Sequence, residues 1–188
     1  MSLPAKTQKC VVRTFRVDDA ASLARHGNNR VIWRNLRDRF PHPYNVDDSM
    51  GYIEFILAKN PYHSLAIEVD GEAVGGLSLR IGEDIERLSA EIGYWIGEPY
   101  WGRGIMSAAC RAVSDLVLRD FDIERLEARV FAWNPASMRV LEKCGFEREG
   151  VLRRSVFKDG QVIDAVLYAR VRHEPPRRSA TRDAEVGQ

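Results

Sequence analysis

The stretch that decides the fold is residues 88–110, LSAEIGYWIGEPYWGRGIMSAAC. Residues 88–97 form an apolar run of strand character that breaks at Glu98-Pro99. The chain then passes through Gly102-Arg103-Gly104 and takes up helical spacing, with apolar residues at Ile105, Ala108, Ala109, Ala112, Val113, Leu116 and Val117. Strand, glycine turn and helix in that order present several free backbone N–H groups at one point, where the helix dipole adds partial positive charge. Such a point suits an anion, a phosphate above all, and glycine lets the backbone approach it without a side chain in the way. The Gly-x-x-x-x-Gly-Lys run of a nucleoside-triphosphate loop is missing, and a dinucleotide fingerprint opening at Gly102 lacks its last glycine, because Ser107 stands there. Taken alone, the turn is equally compatible with a strand-to-helix connection that binds nothing.

A second stretch decides between these readings. Residues 125–132, RLEARVFA, alternate as a strand with Leu126, Ala128, Val130 and Ala132 on one face. They lead into Asn134-Pro135-Ala136-Ser137 and Leu141-Glu142-Lys143-Cys144-Gly145-Phe146. This is a short helix with Asn134 as N-cap, Pro135 in the first turn and Gly145 as a left-handed stop. Strand, turn and helix therefore occur twice in succession.

With Glu91-Ile92-Gly93-Tyr94-Trp95-Ile96, Tyr100-Trp101-Gly102-Arg103-Gly104-Ile105 and Asn134-x-x-Ser137…Leu141-Glu142-Lys143-x-Gly145-Phe146 in this order, the chain resembles the GNAT superfamily of N-acetyltransferases. Within it, the chain is most similar to the RimJ/RimL branch, which acetylates protein N-termini. The resemblance runs from about residue 11 to residue 171. It implies an α/β fold: a central, mixed, mostly antiparallel twisted sheet flanked by helices, with a splayed parallel strand pair forming a wedge for acetyl-CoA. It further implies that the backbone of Gly102, Arg103, Gly104, Ile105, Met106 and Ser107 holds the diphosphate, with Trp101 opening the loop. Tyr94, Trp95, Ile96 and Asn134 would meet the pantetheine arm. Met106 stands where the family has a small residue, so its side chain is expected to turn into the core.

The reaction implied is attack of an amine on a thioester. An α-amine of pKa about 7.7–8.0 gives up its proton at pH 7 for about 1 kcal/mol, whereas a lysine amine near 10.4 needs about 4.6. A weak base, even a carboxylate acting through water, therefore suffices for an α-amine. By the resemblance Glu91 is the candidate base; strict alternation puts it on the face of Trp95, opposite Ile92, Tyr94 and Ile96. The tyrosine acid that many family members carry seven residues after the Asn is replaced by Leu141, so Ser137 is the candidate acid, as in the RimJ/RimL branch. Phe40, His42 and Tyr44 are candidates to wall the acceptor pocket, with residues 35–44 and 155–157 around it. The same residues also suit a rigidly packed loop. Arg139 and Lys143, four apart on one helix, suit either a solvated face or a 3′-phosphate.

The remaining chain bounds these readings. At 188 residues it has room for one domain, placed at 10–172, with a charged, proline-containing tail at 173–188 expected to be disordered. A net charge of +1 gives no general attraction to nucleic acid or to an anionic membrane. Cys10, Cys110 and Cys144 have neither disulfide-framework nor zinc spacing, and no metal is expected. No secretory or membrane-length apolar segment is present in this sequence, so a reducing cytoplasm is the expected setting.

In order, the pattern reads as a loose leader at 1–9 and a strand at 10–17. Two short helices follow, the first capped by Asp18 or Asp19. Residues 37–45 are irregular, and a helix capped by Asp47 or Asp48 has Met50, Ile53, Ile56 and Leu57 inward. Asp70-Gly71 and Asp159-Gly160 mark two hairpins. The expected topology is an antiparallel meander, a parallel β–α–β step and a closing hairpin.

The expected partners are acetyl-CoA and an amine acceptor, with the chain a monomer or homodimer. The acceptor is a peptide N-terminus or, alternatively, a polyamine, aminoglycoside or amino acid. A non-catalytic acyl-CoA-binding regulatory domain is the reading from another class.

Overall fold

The computed structural model describes residues 5–60 and 63–172. Its strands are β1 (Ala5–Lys6), β2 (Val11–Thr14), β3 (Ser64–Val69), β4 (Glu72–Ile81), β5 (Ser89–Ile96), β6 (Arg125–Phe131), β7 (Glu147–Lys158) and β8 (Gln161–Val171). The helices are α1 (Ala20–Gly27), α2 (Arg30–Arg34), α3 (Val46–Lys59), α4 (Ile105–Asp120) and α5 (Pro135–Lys143). The strands form one sheet in the order β1-β2-β3-β4-β5-β6-β8-β7, antiparallel throughout except for β5 beside β6. Asp70-Gly71 and Asp159-Gly160 make the two expected hairpins, all four residues at positive φ, which is the backbone of a tight turn matched to strand twist.

The parallel pair positions the site. β5 and β6 pair only at Ser89↔Arg125, Ala90↔Leu126 and Glu91↔Glu127. Beyond that point β5 stays on β4 as far as Gly75↔Ile96, and β6 stays on β8 as far as Phe131↔Ala165. Each strand is held by its outer neighbour, so the two inner edges separate into an open wedge. The alternation read from the sequence holds on both sides of it. Ile92, Ile96, Leu126, Ala128 and Val130 join the core under α4 and α5, built on Ile105, Met106, Val113, Val117 and Leu141. On the other face Trp95 packs against Phe15, Leu23, Ile53 and Ile56 under α1 and α3.

Several local expectations are corrected. Residues 5–6 are not loose leader but a short edge strand on β2, Ala5↔Val12. Asp19 does not cap α1, because its carboxylate is buried against the Arg13 guanidinium in a bidentate pair at 2.7 Å, the geometry that best matches the two groups. α3 is capped by Asn45: its side chain accepts from Asp48 N–H at 3.0 Å while Asp48 accepts from Asn45 N–H at 2.9 Å. Leu57 lies on the exposed side of α3 rather than inward. The three cysteines are free and buried. The tail expectation, 173–188, lies outside the described residues.

Candidate active site

Gly102 and Gly104 have φ of +72° and +74°, the left-handed region that glycine enters without steric cost, and Gly104 is the residue before α4. Among the described residues, no acceptor takes the N–H groups of Gly104, Ile105, Met106 or Ser107. Met106 turns into the core, as expected, while the residue still borders the cavity. Trp101 is held by its indole N–H, which donates to the Ile96 carbonyl at 2.8 Å and ties the loop to the end of β5. Asn134 caps α5 by accepting from Ser137 N–H at 3.1 Å, so Ser137 sits in the first turn with its hydroxyl at the wedge.

Tyr94 reaches Ser137 from β5. Its phenol oxygen lies 3.0 Å from Ser137 Oγ and 3.2 Å from the Ser137 carbonyl. Burial pushes its pKa far above the usual tyrosine value, so it stays a protonated donor at any working pH. A tyrosine thus stands beside the candidate acid, supplied by β5 instead of by the helix position that Leu141 occupies.

Glu91 lies on the opposite face of β5. Burial by itself would raise its carboxyl, but hydrogen bonds from Arg80 and Arg37 outweigh burial and hold it below the usual carboxylate range. The Arg37 contact is 2.6 Å. Glu91 is therefore an ionised carboxylate fixed between two guanidinium groups.

One cavity of about 940 Å³ joins these parts. Tyr94, Ile96, Gly102, Gly104, Ile105, Met106, Ser107, Asn134 and Ser137 line it from the α4–α5 side, together with Trp101, Arg139 and Lys143. Glu91, Trp95, Arg129 and Phe131 line it from the other face of the sheet. Only the splay of β5 and β6 allows both sets to face one space, so the cavity passes through the sheet. Of the residues expected at the loop, Arg103 does not line it; its guanidinium lies over the Tyr100 ring.

Phe40, His42 and Tyr44 do not line the cavity either. Phe40 stacks on buried Tyr44 with ring centroids 4.3 Å apart, His42 lies against Trp33, and the three form a packed loop that includes the cis His42-Pro43 bond. Of the segments expected around the acceptor, residues 35–38 and 155–157 do wall the far end of the cavity, together with Val31, Trp133 and Lys158. Here α2 and the chain after it are pinned to neighbouring elements by long-range polar contacts. Lys158, only 2% exposed, donates to Asp38 at 2.6 Å with its ammonium 3.9 Å from the centre of the Trp33 ring. Asp159 accepts from Arg30 at 2.8 Å, and Trp133 donates to Asn35 at 3.0 Å. The sequence places Asn35 and Asp38 in the segment expected around the pocket and Lys158 beside a turn, but nothing local shows that Asp38 faces Lys158 or that Trp133 faces Asn35. Among the described residues no group of three or more His, Cys, Asp or Glu is placed to hold a metal ion, and no helix is long and apolar enough to cross a membrane.

Comparison with known proteins agrees with this geometry. Residues 9–147 match the acetyltransferase (GNAT) domain family. The chain is 36% identical to the ribosomal protein uS5-alanine N-acetyltransferase of Escherichia coli (strain K12), over 87% of this chain and 88% of that enzyme. It is 29% identical to the L-amino acid N-acetyltransferase AaaT of the same organism, over 78% and 88% respectively. Among solved structures, Mycobacterium smegmatis RimJ in complex with CoA-disulfide superposes with a TM-score of 0.77 at 28% identity, covering 89% of this chain and 83% of that one. With a domain match that takes in both strand–turn–helix units, and homologues in the RimJ/RimL branch, the chain belongs to the GNAT family of N-acetyltransferases.

Proposed function

We propose that this chain transfers the acetyl group of acetyl-CoA to a primary amine, the α-amine of a protein or peptide N-terminus in the first instance. The observation that carries the reading is the cavity through the sheet, which joins the unpartnered amides of the α4 turn, the Ser137 hydroxyl and the Glu91 carboxylate. The residues present fit the coenzyme. The free N–H groups of Gly104–Ser107 suit a diphosphate, and a Cβ at Gly102 would meet nothing within 4 Å, so the loop is open to a ligand. The unpaired inner edge of β5 beyond Glu91 offers strand hydrogen-bonding groups to the amides of a pantetheine arm running past Tyr94, Trp95, Ile96 and Asn134.

When bound, the coenzyme supplies an acetyl thioester whose carbonyl carbon is open to the amine and whose thiol leaves. Glu91, ionised between its two arginines, is too weak a base to deprotonate a lysine amine readily. Through one water it suffices for an α-amine, whose proton costs about 1 kcal/mol at pH 7. On the other face Ser137 Oγ–H donates a hydrogen bond to the departing thiolate, which takes its proton from solvent, and the Tyr94 phenol 3.0 Å away holds the serine hydroxyl in place. A thiol has a pKa near about 8.5, so the help needed there is small.

A free amino acid is the second reading. It is favoured by Arg129, half-exposed on the wall of the acceptor half, which suits a substrate carboxylate, whereas Arg37 and Lys158 are already held by Glu91 and Asp38. A polyamine is disfavoured, since among the described residues the carboxylates that line the cavity, Asp38 and Glu91, are already ion-paired. The test is release of free thiol from acetyl-CoA over a panel of N-terminal peptides, amino acids and polyamines. Turnover with peptides supports the first reading and turnover confined to amino acids supports the second. Coenzyme binding without turnover on any amine would leave only a regulatory acyl-CoA-binding domain.

A further inference from the structure

The segment before β2 docks on the underside of the glycine loop. Residues 7–10 form a tight turn in which Thr7 Oγ1 accepts from Lys9 N–H at 3.1 Å and from Cys10 N–H at 2.9 Å, and Thr7 N–H donates to the Cys10 carbonyl at 2.9 Å. The turn delivers two side chains to the start of α4. Cys10, buried, puts its sulfur 4.0 Å from the Ile105 carbonyl, and Lys9 Nζ donates to the Arg103 carbonyl at 2.7 Å. The lysine stem runs directly beneath Gly104: a Cβ built there would lie 3.1 Å from Nζ, 3.7 Å from Cε and 3.9 Å from Cδ.

Lys9 does not line the cavity, and neither does Arg103, whereas Gly102 and Gly104 do. The lysine therefore approaches the loop from behind. In a trans peptide the carbonyl oxygen and the following N–H point in opposite directions. An ammonium holding the Arg103 oxygen thus aims the Gly104 N–H away from itself, toward the cavity, where no group among the described residues accepts it. The same contact polarises that peptide group, which strengthens its N–H as a donor, and adds one positive charge behind the helix start.

We infer that Lys9 is a positioning residue for the anion held at the α4 turn: it fixes the orientation of the peptide between Arg103 and Gly104 and makes its N–H a better donor to a diphosphate. The inference rests on the reading that this turn takes the diphosphate of an acyl-CoA. A Cβ at Gly104 would press on the lysine ammonium, which would have to give by a few tenths of an ångström, in addition to the strain of the positive φ.

The experiment compares full-length wild type with Lys9→Met and Lys9→Arg, using calorimetry with CoA and with dephospho-CoA, which keeps the diphosphate and lacks the 3′-phosphate. Steady-state kinetics uses acetyl-CoA and the truncated donor S-acetyl-pantetheine. Lys9→Met should weaken CoA and dephospho-CoA by the same factor, about 10-fold, the size of one lost charge-assisted contact. The donor KM should rise in step while kcat at saturating donor and the acceptor KM stay put. Activity with S-acetyl-pantetheine should be unchanged, and Lys9→Arg should restore most of the affinity. Equal CoA affinity in wild type and Lys9→Met would overturn the inference. So would a loss seen with CoA but not with dephospho-CoA, which would put the lysine on the 3′-phosphate, or an equal loss with the truncated donor, which would mean general damage to the site. Wild type taking up no coenzyme at all would remove the functional reading itself, a result distinct from these.

Discussion

The two ends of the cavity are built from different materials. At the α4 end the working groups are backbone: amides freed by a helix start, two glycines at positive φ, and the unpaired edge of β5. At the α2 end they are side chains brought from far apart in the sequence: Arg37 on Glu91, Lys158 on Asp38, Arg30 on Asp159 and Trp133 on Asn35. A backbone site tolerates many side chains but hardly any change of dihedral angle. A side-chain site keeps its backbone under substitution and changes what it accepts. The first end suits a ligand that never varies, and the second suits one that differs between relatives.

The sharpest way to break this contrast is Gly104→Val. A β-branched residue at φ +74° strains the turn by at least about 1–2 kcal/mol, and its side chain would also drive into Lys9. Coenzyme affinity should fall by about 100-fold or more while the far ultraviolet circular dichroism stays native; calorimetry reads the first.

Next in size is Glu91→Gln, at about 10- to 100-fold in kcat/KM for a peptide acceptor at pH 7, with coenzyme affinity intact. The deficit should shrink as pH rises toward 9, because the amine then arrives deprotonated. The wild-type profile sharpens the same point. A carboxyl held below its usual range is ionised across the whole neutral and alkaline region, so protonating Glu91 contributes no limb there. The rising limb should follow the acceptor amine, near about 7.7–8.0 for an α-amine. A limb near pH 6 that persisted when the acceptor amine was changed would contradict the assignment.

Ser137→Ala should lower kcat about 10-fold, with Tyr94→Phe costing less, since thiolate departure needs little acid help. A loss of several orders of magnitude in either variant would mean that proton delivery to sulfur limits the reaction.

The smallest effect is expected from Asp38→Ala. It leaves the buried Lys158 ammonium with the Trp33 ring as its remaining partner, but Asp38 is itself largely exposed, so the loss of stability should be about 1–2 kcal/mol by urea titration. The acceptor KM should rise several-fold with the donor KM unchanged. A change in donor KM instead would show that the two ends are not separable.

Legibility in the sequence follows the same division. Asp-Gly hairpins, the helical period of residues 105–120, the Asn134 cap and the glycine turn are all local, each set by dihedral preference or by spacing within a few residues. They were enough to order the elements and to locate the loop. Local preference gives way where a tertiary partner binds a group more strongly than its neighbours do. Asp19, a fair cap by position, goes to Arg13, and residues 5–6, with no strand pattern of their own, gain an edge on β2. Phe40, His42 and Tyr44 are aromatic and near the site in sequence. They face away from the cavity because Tyr44 and Phe40 fill the space above Gly27, where a Cβ would come 2.8 Å from the Tyr44 ring.

The sequence by itself determined the succession of strands and helices, the faces that each strand buries, and the point where backbone amides are left without partners, because these depend on short-range sterics and on alternation. Only the tertiary structure decided that β5 and β6 part after Glu91 and Glu127, so that residues from opposite faces of the sheet meet in one cavity. It alone decided that Lys9 stands behind the glycine turn and Lys158 beneath Trp33. Contacts across 94 and 120 residues carry no signature in either neighbourhood; they arise when separately determined elements are packed against one another.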